Sequence, residues 1–246
     1  VFSDIDGELA PIVRRAEEAH VGEEVPLLLG RLARRYACVA CISGRSVADA
    51  RRLVGVGGIA YAGSHGAELL EPGDTAPRVV PAFKSWERRV RRFAAERDTP
   101  QLRQLRVRIE DNGPIAAFHW RGVPDEDAAR TRLEGLAQEA EAAGFAIHWG
   151  RKVLEVRPPV RIDKGQAVRE LITRSRPRTA LYAGDDATDL DAFDALDRLV
   201  AEGELEAALR VGIRSDEGPV AIVERADLVV DGPDGFIPVL AVLASA

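Results

Sequence analysis

The sequence lacks the features that mark secreted, membrane and nucleic-acid-binding proteins. Only two cysteines occur in 246 residues, too few for a disulfide framework. No apolar run approaches the roughly 18 residues that cross a bilayer, and the first residues do not predict a positively charged signal peptide. Positive charge is not in excess, since the sequence has 34 Lys and Arg against 40 Asp and Glu. This balance disfavours sequence-independent nucleic-acid binding. We therefore expect a cytoplasmic protein without membrane or nucleic-acid partners; the sequence does not determine its oligomeric state.

What remains is an ordinary globular composition, with 46% hydrophobic and 30% charged residues and no internal repeat. In residues 1–78, and again in 163–246, short apolar runs alternate with helical patterns, which is typical of a parallel sheet in an α/β fold. Residues 79–162 instead predict helix, hairpin, helix and strand pair. We therefore predict two domains: an α/β core of 1–78 with 163–246, and an α+β cap of 79–162 inserted into it.

The predicted cap contains a strong hairpin signal. Two alternating runs, 105–110 and 115–120, are separated by Asp111-Asn112-Gly113-Pro114. Asn-Gly between such runs favours a tight turn between antiparallel strands. A second strand pair is predicted at 145–149 and 153–157.

Two acidic clusters follow apolar strands of the predicted core. The first contains Asp4 and Asp6, and the second contains Asp185, Asp186 and Asp189. Each cluster taken alone is compatible with a turn or a capped helix start. Two clusters at strand ends, far apart in sequence, place carboxylates where α/β folds bind ligands. Such groups repel one another unless a cation lies between them, and Mg²⁺ prefers hard oxygen ligands.

Two further segments have features of phosphate sites. Ser43-Gly44-Arg45 ends a strand with a hydroxyl group, a flexible residue and a cation. Asp163-Lys164-Gly165 opens a helix, where backbone amides and an ammonium group can bind an anion. Alone, each segment is compatible with an ordinary turn or a solvated helix start.

In this order, the four motifs resemble those of the haloacid dehalogenase superfamily of phosphatases. The resemblance implies a Rossmann-like parallel-sheet core with an inserted α+β cap. It implies that Asp4 is the nucleophile and becomes a phospho-aspartate. Asp6 would be the acid and base, which protonates the leaving alcohol and then activates water.

The same resemblance implies how phosphate and metal are held. Ser43 and Lys164 would bind the phosphate. Asp185 would bind Mg²⁺ together with Asp4 and the carbonyl group of Asp6. The residues expected to support this metal site are Asp186 and Asp189.

Three more segments resemble trehalose-6-phosphate phosphatases. These are 63–68, with the pattern Gly-x-His-Gly-x-Glu, the Glu-x-Arg-Pro segment in 151–158, and Glu110 with the His-aromatic-Arg run in 118–121. We expect His65 to lie on an exposed loop, and Glu155 and Arg157 to share one face of a strand. The residues expected to bind substrate are Arg45, His65, Glu68, Glu110, Arg151, Glu155 and Arg157.

The chain departs from that family at two positions. Glu8 stands where the family usually has Thr, which brings a carboxylate beside the predicted phosphate site. We expect Glu8 to turn to solvent or to pair with Arg45. Asn112 stands where the family often has Lys, so a cationic contact with sugar or phosphate would be lost.

The resemblance implies a Mg²⁺-dependent phosphatase that hydrolyses trehalose 6-phosphate. Two alternatives stay open. One is a phosphatase of another sugar phosphate, such as sucrose phosphate or a glucosyl- or mannosylglycerate phosphate. The other is a catalytically silent regulatory domain of a trehalose-synthesis assembly.

Overall fold

The computed structural model describes residues 1–13, 18–160, 163–215 and 218–245, apart from the side chain of residue 82. The chain divides into a core unit, Val1–Arg78 with Ile162–Ala246, and a cap unit, Val79–Arg161. The boundary predicted after residue 162 lies outside the described residues. Within the described residues, no helix is both long and apolar enough to span a bilayer.

An eight-stranded sheet forms the centre of the core unit, and most of its neighbouring strands are parallel. Its strand order is β12-β11-β10-β1-β2-β3-β4-β5, in which β3 and β4 are antiparallel. The bounds are β1 Phe2–Ser3, β2 Ala40–Ile42, β3 Ala60–Gly63, β4 Glu68–Leu70, β5 Arg78–Val79, β10 Thr179–Gly184, β11 Ala207–Arg214 and β12 Leu228–Asp231.

The position of β1 determines which segments meet at the carboxyl edge of the sheet. This strand pairs in parallel with β2 on one side and β10 on the other, so that Ser3 is the partner of both Cys41 and Ala183. Because parallel strands end at the same edge, the segments that follow these three strands lie side by side. The two acidic clusters and the Ser43 segment are those segments.

Helices cover both faces of the core sheet, as expected for a parallel sheet buried on two sides. Side chains alternate along β2, where Cys41 belongs to one apolar cluster and Ala40 and Ile42 to another. The first cluster includes residues of α1, α2 and α9, and the second includes residues of α6, α7 and α8. The bounds are α1 Glu24–Leu32, α2 Val47–Val54, α6 Lys164–Ser175, α7 Asp189–Ala201, α8 Val220–Arg225 and α9 Gly232–Ser245. This arrangement confirms the predicted α/β fold class.

The cap unit is a four-stranded antiparallel sheet with helices on one face. Its strand order is β6-β7-β9-β8. On the apolar face, Phe118, Leu154 and Val156 are buried with side chains of α3 and α5, such as Val90 and Leu133. The bounds are α3 Pro81–Arg97, α4 Pro100–Gln104, β6 Arg108–Asn112, β7 Ile115–His119, α5 Glu126–Ala142, β8 Ala146–Gly150 and β9 Val153–Arg157.

The first cap hairpin forms, but its first strand begins later than predicted. Asn112 pairs with Ile115, and Gly113 in the turn has a φ of 70°, which suits glycine. The strand predicted from residue 105 begins at Arg108, after the short helix α4. That helix forms because the Thr99 hydroxyl accepts a hydrogen bond from the Leu102 amide, and Pro100 suits a first helical position.

Candidate functional site

Asp4 lies directly after β1, in the middle of the carboxyl edge of the core sheet. Its backbone amide donates to the carbonyl of Ala183 at 3.1 Å, which continues the pairing with β10. Its side chain is buried, with one oxygen 2.6 Å from the Ile5 amide and the other 2.6 Å from the Lys164 ammonium group. The carboxylate predicted to be the nucleophile is therefore held in one orientation by an amide and a cation.

Lys164 enters the site from the first position of α6. The Asp163 side chain caps this helix by accepting a hydrogen bond from the Gln166 amide at 2.8 Å. The Lys164 side chain is 1% exposed, and its ammonium group also lies 2.7 Å from Asp189 Oδ1. Burial acts to lower the pKa of Lys164, but the carboxylates of Asp189 and Asp4 outweigh it and hold this pKa well above its usual value. Lys164 is therefore charged at neutral pH.

Asp189 anchors the second acidic loop to Lys164. Its Oδ1 accepts from Lys164 and from the Tyr182 hydroxyl at 2.6 Å. Its Oδ2 accepts from the backbone amides of Asp185 and Asp186, at 3.1 and 3.0 Å. A carboxylate has about four lone-pair sites, and these donors use them all. Asp189 therefore fixes the loop and the ammonium group.

Asp186 lies beside Lys164 and is held as an anion. Its Oδ1 accepts hydrogen bonds from the amide and hydroxyl groups of Thr188, at 2.7 and 2.6 Å, and lies 3.9 Å from the Lys164 nitrogen. Burial acts to raise the pKa of Asp186, but the Lys164 charge and the Thr188 hydrogen bonds outweigh it and hold this pKa well below its usual value.

Glu8 does not lie where we expected it. The side chain is fully buried, and among the described residues neither of its carboxylate oxygens has a hydrogen-bond partner. The expectation that Glu8 turns to solvent or pairs with Arg45 is therefore wrong. The physical reason lies in the preceding residue. Gly7 has a φ of 107°, and a Cβ there would lie 2.6 Å from Asp185 Cγ. The loop therefore packs directly against the Asp185 carboxylate, and the Glu8 side chain that follows is buried.

Glu8 joins a cluster of acidic side chains that fits a divalent cation. Glu8, Asp185 and Asp189 each offer a carboxylate oxygen, and these oxygens lie within 4.8 Å of one another. Burial raises the pKa of Glu8 well above its usual value, and the neighbouring charges of Asp185, Asp4 and Asp189 raise it further. Hard oxygen donors, buried together, match the preference of Mg²⁺. The donor set therefore fits the metal that the resemblance implies.

Arg45 pairs with Asp6 instead of Glu8. The guanidinium group makes two hydrogen bonds to the Asp6 carboxylate, each of 2.7 Å. Such a two-point contact fixes the plane of the carboxylate as well as its distance. The side chain predicted to act as acid and base is therefore oriented by the cation predicted to bind substrate.

Two other predicted site residues, Ser43 and Glu68, belong to the same edge of the core unit. The buried Ser43 hydroxyl accepts a hydrogen bond from the Arg45 amide at 3.2 Å. Glu68 accepts from the Val47 amide at 2.9 Å, and so satisfies a donor at the start of α2.

His65 is buried, which corrects the expectation of an exposed loop. Only 8% of the residue is accessible, and its φ of 56° is unusual for a residue other than glycine. Its ring covers Gly44, where a Cβ would lie 2.9 Å from Nε2. Because the His65 ring packs closely against the backbone of Gly44, the side chain is buried.

The second face of the cap sheet is polar, and the predicted cap residues lie there. The register places Glu110 opposite Ala117, Ala117 opposite Glu155, and Glu155 opposite His148. These four residues form one row across the sheet. Arg157 donates to Glu155 Oε2 at 2.8 Å, so these two side chains share the face as we expected.

The other predicted cap residues complete this polar face or border it. The His119 ring lies 2.7 Å from Glu110 Oε2. Arg151 lies in the turn between β8 and β9, where its carbonyl group accepts from Arg121 at 3.4 Å. Asn112, at the end of β6, is buried.

The structure thus brings the predicted core residues together at one sheet edge, and the predicted cap residues together in the cap unit. Three residues beside the predicted ones were not predicted from the sequence: Tyr182, Thr188 and His148. Tyr182 lies inside an apolar strand, where nothing marks its hydroxyl group. The position of His148 opposite Glu155 depends on strand register, which a single sequence does not show.

Residues 2–219 match the family model described as trehalose-phosphatase. A trehalose-phosphate phosphatase of Mycobacterium avium (strain 104) is 37% identical over 212 residues, which are 80% of this chain and 51% of that protein. A Mycobacterium tuberculosis protein described as an uncharacterized glycosyl hydrolase is 36% identical over 204 residues, 80% of this chain and 15% of that protein. The chain therefore spans about half the length of such relatives, or less.

Two solved structures share the fold. One, described as a trehalose-6-phosphate phosphatase related protein, has a TM-score of 0.79 at 23% identity. The superposition covers 99% of this chain and 96% of the chain in that structure. The other, the C-terminal domain of the Candida albicans trehalose-6-phosphate phosphatase, has a TM-score of 0.78 at 21% identity, with coverage of 99% and 91%. Because the family model matches most of the sequence and the Mycobacterium avium relative is 37% identical over 80% of it, the chain belongs to the trehalose-phosphatase family.

Proposed function

We propose that this chain hydrolyses trehalose 6-phosphate to trehalose and phosphate through a phosphorylated Asp4. The observation that carries the proposal is the buried Asp4 carboxylate, held 2.6 Å from the Lys164 ammonium group at the end of the central strand. Phosphoryl transfer depends mainly on the position of the nucleophile and on neutralised phosphate oxygens. The reaction would take place in the cytoplasm on a small sugar phosphate.

Two displacements at phosphorus make up the reaction. In the first, which starts with Asp6 protonated, an oxygen of Asp4 forms a bond to phosphorus, the bond from phosphorus to the sugar oxygen breaks, and Asp6 gives its proton to that oxygen. In the second, Asp6 takes a proton from water as the water oxygen attacks phosphorus. Asp4 leaves as a carboxylate and phosphate is released.

The phosphate is held by Lys164 and Ser43 in this proposal. The ammonium group of Lys164 neutralises a phosphate oxygen, and the Ser43 hydroxyl donates to another. Before substrate binds, Arg45 holds the Asp6 carboxylate through their two hydrogen bonds. These bonds break when Asp6 turns to the leaving oxygen, and Arg45 then contacts the substrate.

Mg²⁺ is the proposed cofactor. Asp4, the Asp6 carbonyl group and Asp185 would hold it, and Asp186 and Asp189 would support the site. When bound, the cation would neutralise phosphate charge during the transfer.

Chelation provides the test of this dependence. We expect EDTA to stop phosphate release and added Mg²⁺ to restore it, while Ca²⁺ inhibits because it prefers about six to eight ligands in a looser arrangement. Full activity in excess chelator would contradict the metal role of the core acids.

The polar face of the cap supplies the groups that bind the sugar. Carboxylates accept hydrogen bonds from sugar hydroxyl groups, and guanidinium groups donate to them. In the cap unit the proposed sugar-binding residues are Glu110, Arg151, Glu155 and Arg157. In the core unit the proposed substrate-binding residues are His65 and Glu68.

A substrate panel tests the activity itself. Phosphate release would be measured, with and without Mg²⁺, from trehalose 6-phosphate, sucrose phosphate and glucosyl- and mannosylglycerate phosphates. We expect the highest kcat/KM for trehalose 6-phosphate. A higher value for another sugar phosphate would reassign the substrate, and release from none of them would favour a silent regulatory domain.

Glu155→Gln separates sugar recognition from chemistry. We expect kcat/KM for trehalose 6-phosphate to fall by about 1.5–3 kcal/mol, or about 10- to 150-fold, because a charged hydrogen-bond acceptor is lost. Hydrolysis of p-nitrophenyl phosphate, which has no sugar, should change less than about twofold.

A matched control for this variant lies on the exposed face of α5 in the same unit. Glu134 also pairs with an arginine, Arg130, at 3.1 Å, and Glu134→Gln should leave both substrates unaffected. Equal losses on the two substrates in Glu155→Gln would mean that Glu155 serves the fold of the cap and not recognition.

A further inference from the structure

We propose that Glu8 is a direct ligand of the divalent cation, beside Asp185. The proposal rests on the metal dependence of the proposed function and adds a residue to the ligand set. It gives this chain an anionic ligand at a position where the family usually has the neutral side chain of Thr.

The burial of Glu8 is the first step of the argument. The side chain has no accessible surface, and its two oxygens meet no hydrogen-bond donor among the described residues. A carboxylate removed from water without a partner is strongly unfavourable, and buried charges in proteins are therefore paired or bound to metals. A cation that occupies these lone pairs would account for the buried group.

The direction of Glu8 is the second step. One of its oxygens lies within 4.8 Å of oxygens of both Asp185 and Asp189. The backbone of Gly7 lies against the Asp185 carboxylate, where a Cβ would be only 2.6 Å from Cγ. The loop thus carries Glu8 into an acidic cluster, where a common cation would remove the repulsion.

The donors around Asp189 decide which of the three carboxylates binds that cation. Asp189 already accepts from Lys164, Tyr182 and two backbone amides. It has no lone pair left for a metal without losing one of these contacts. Asp185, the predicted metal ligand, and Glu8 are therefore the members of the cluster that face the cation.

Calorimetric titration of the metal-free chain with MgCl₂, at fixed pH and ionic strength, tests the proposal without using activity. We expect Glu8→Gln, which keeps size but removes charge, to weaken Mg²⁺ binding at least tenfold, since even indirect partners of metal ligands change affinity by about 10- to 100-fold. Glu8→Thr should weaken binding similarly. Asp185→Asn is the positive control, and Glu202→Gln, at an exposed ion pair with Arg169, is the neutral control.

A second measurement guards against misfolding. The Tm of each variant would be measured with and without saturating Mg²⁺. We expect Glu8→Gln and Glu8→Thr to unfold cooperatively without metal, at a Tm no lower than that of the parent, because a buried charge has been removed. Saturating Mg²⁺ should raise the Tm of these variants less than that of the parent, because a ligand has been removed as well.

The outcomes distinguish this proposal from the proposed function. If Glu8→Gln binds Mg²⁺ with the affinity of the parent, or if the parent binds none, Glu8 is not a metal ligand, whatever the phosphatase assay shows. If Mg²⁺ binding depends on Glu8 but no sugar phosphate is hydrolysed, the ligand proposal stands and the proposed function fails.

Discussion

Asp4→Asn is expected to lower kcat for phosphate release by more than about a thousandfold, because removal of a covalent nucleophile eliminates the pathway that the site provides. Asparagine has nearly the size of aspartate, and Lys164 keeps its contact with Asp189 at 2.7 Å, so the fold should persist. The measurement is phosphate release from trehalose 6-phosphate, together with mass spectrometry of the acid-quenched parent, in which the peptide that contains Asp4 should carry a phosphoryl group.

The control for Asp4→Asn is another aspartate of the core unit. Asp49 accepts one hydrogen bond from the Ser46 hydroxyl at 2.7 Å at the start of α2, and Asp49→Asn should retain nearly full activity. More than a few per cent of activity in Asp4→Asn, or a phosphoryl group on a different peptide, would refute the aspartyl-phosphate mechanism for this protein.

Lys164→Met is expected to have the largest effect on stability. Methionine keeps most of the side-chain length, but Asp4 and Asp189 lose the cation that lies 2.6 and 2.7 Å from them. Removal of one member of a buried ion pair costs about 3–5 kcal/mol, because the remaining charge is left uncompensated. Urea denaturation should show this loss in the free energy of unfolding. Phosphatase activity should also be lost, because the proposed contact between Lys164 and the phosphate is removed.

A control for Lys164→Met exists on the same helix. Arg169 of α6 forms an exposed ion pair with Glu202 at 2.6 Å, and exposed pairs contribute little to stability. The free energy of unfolding of Arg169→Met should therefore be close to that of the parent. Addition of Asp189→Asn to Lys164→Met should recover part of the stability, because one uncompensated charge is removed. Equal stability of Lys164→Met and Arg169→Met would contradict the buried charge network.

Much of the fold could be predicted from the sequence, because its signals are local. Apolar runs that alternate with helical patterns predict the α/β class, and the Asn-Gly turn predicts the first cap hairpin. The predicted start of that hairpin was wrong, because Thr99 and Pro100 begin a short helix whose signal is easily hidden beside an alternating run.

The site was predicted in part for the same reason. A carboxylate that follows an apolar strand lies at the sheet edge whatever the rest of the chain does, which holds for Asp4 and Asp185. The burial of His65 and Glu8 could not be predicted in this way. Burial depends on which loop covers a side chain, and in both cases a close approach to a distant segment, at Gly44 and at Asp185, decides it.

The sequence by itself therefore determined which chemical groups this protein has at its strand ends, because strand and loop patterns act over a few residues. Only the tertiary structure decided how those groups pair. Strand order brings Lys164 to Asp4 across 160 residues, Arg45 to Asp6 across 39, and Glu8 to Asp185, since pairing depends on the register and order of parallel strands that no local pattern specifies.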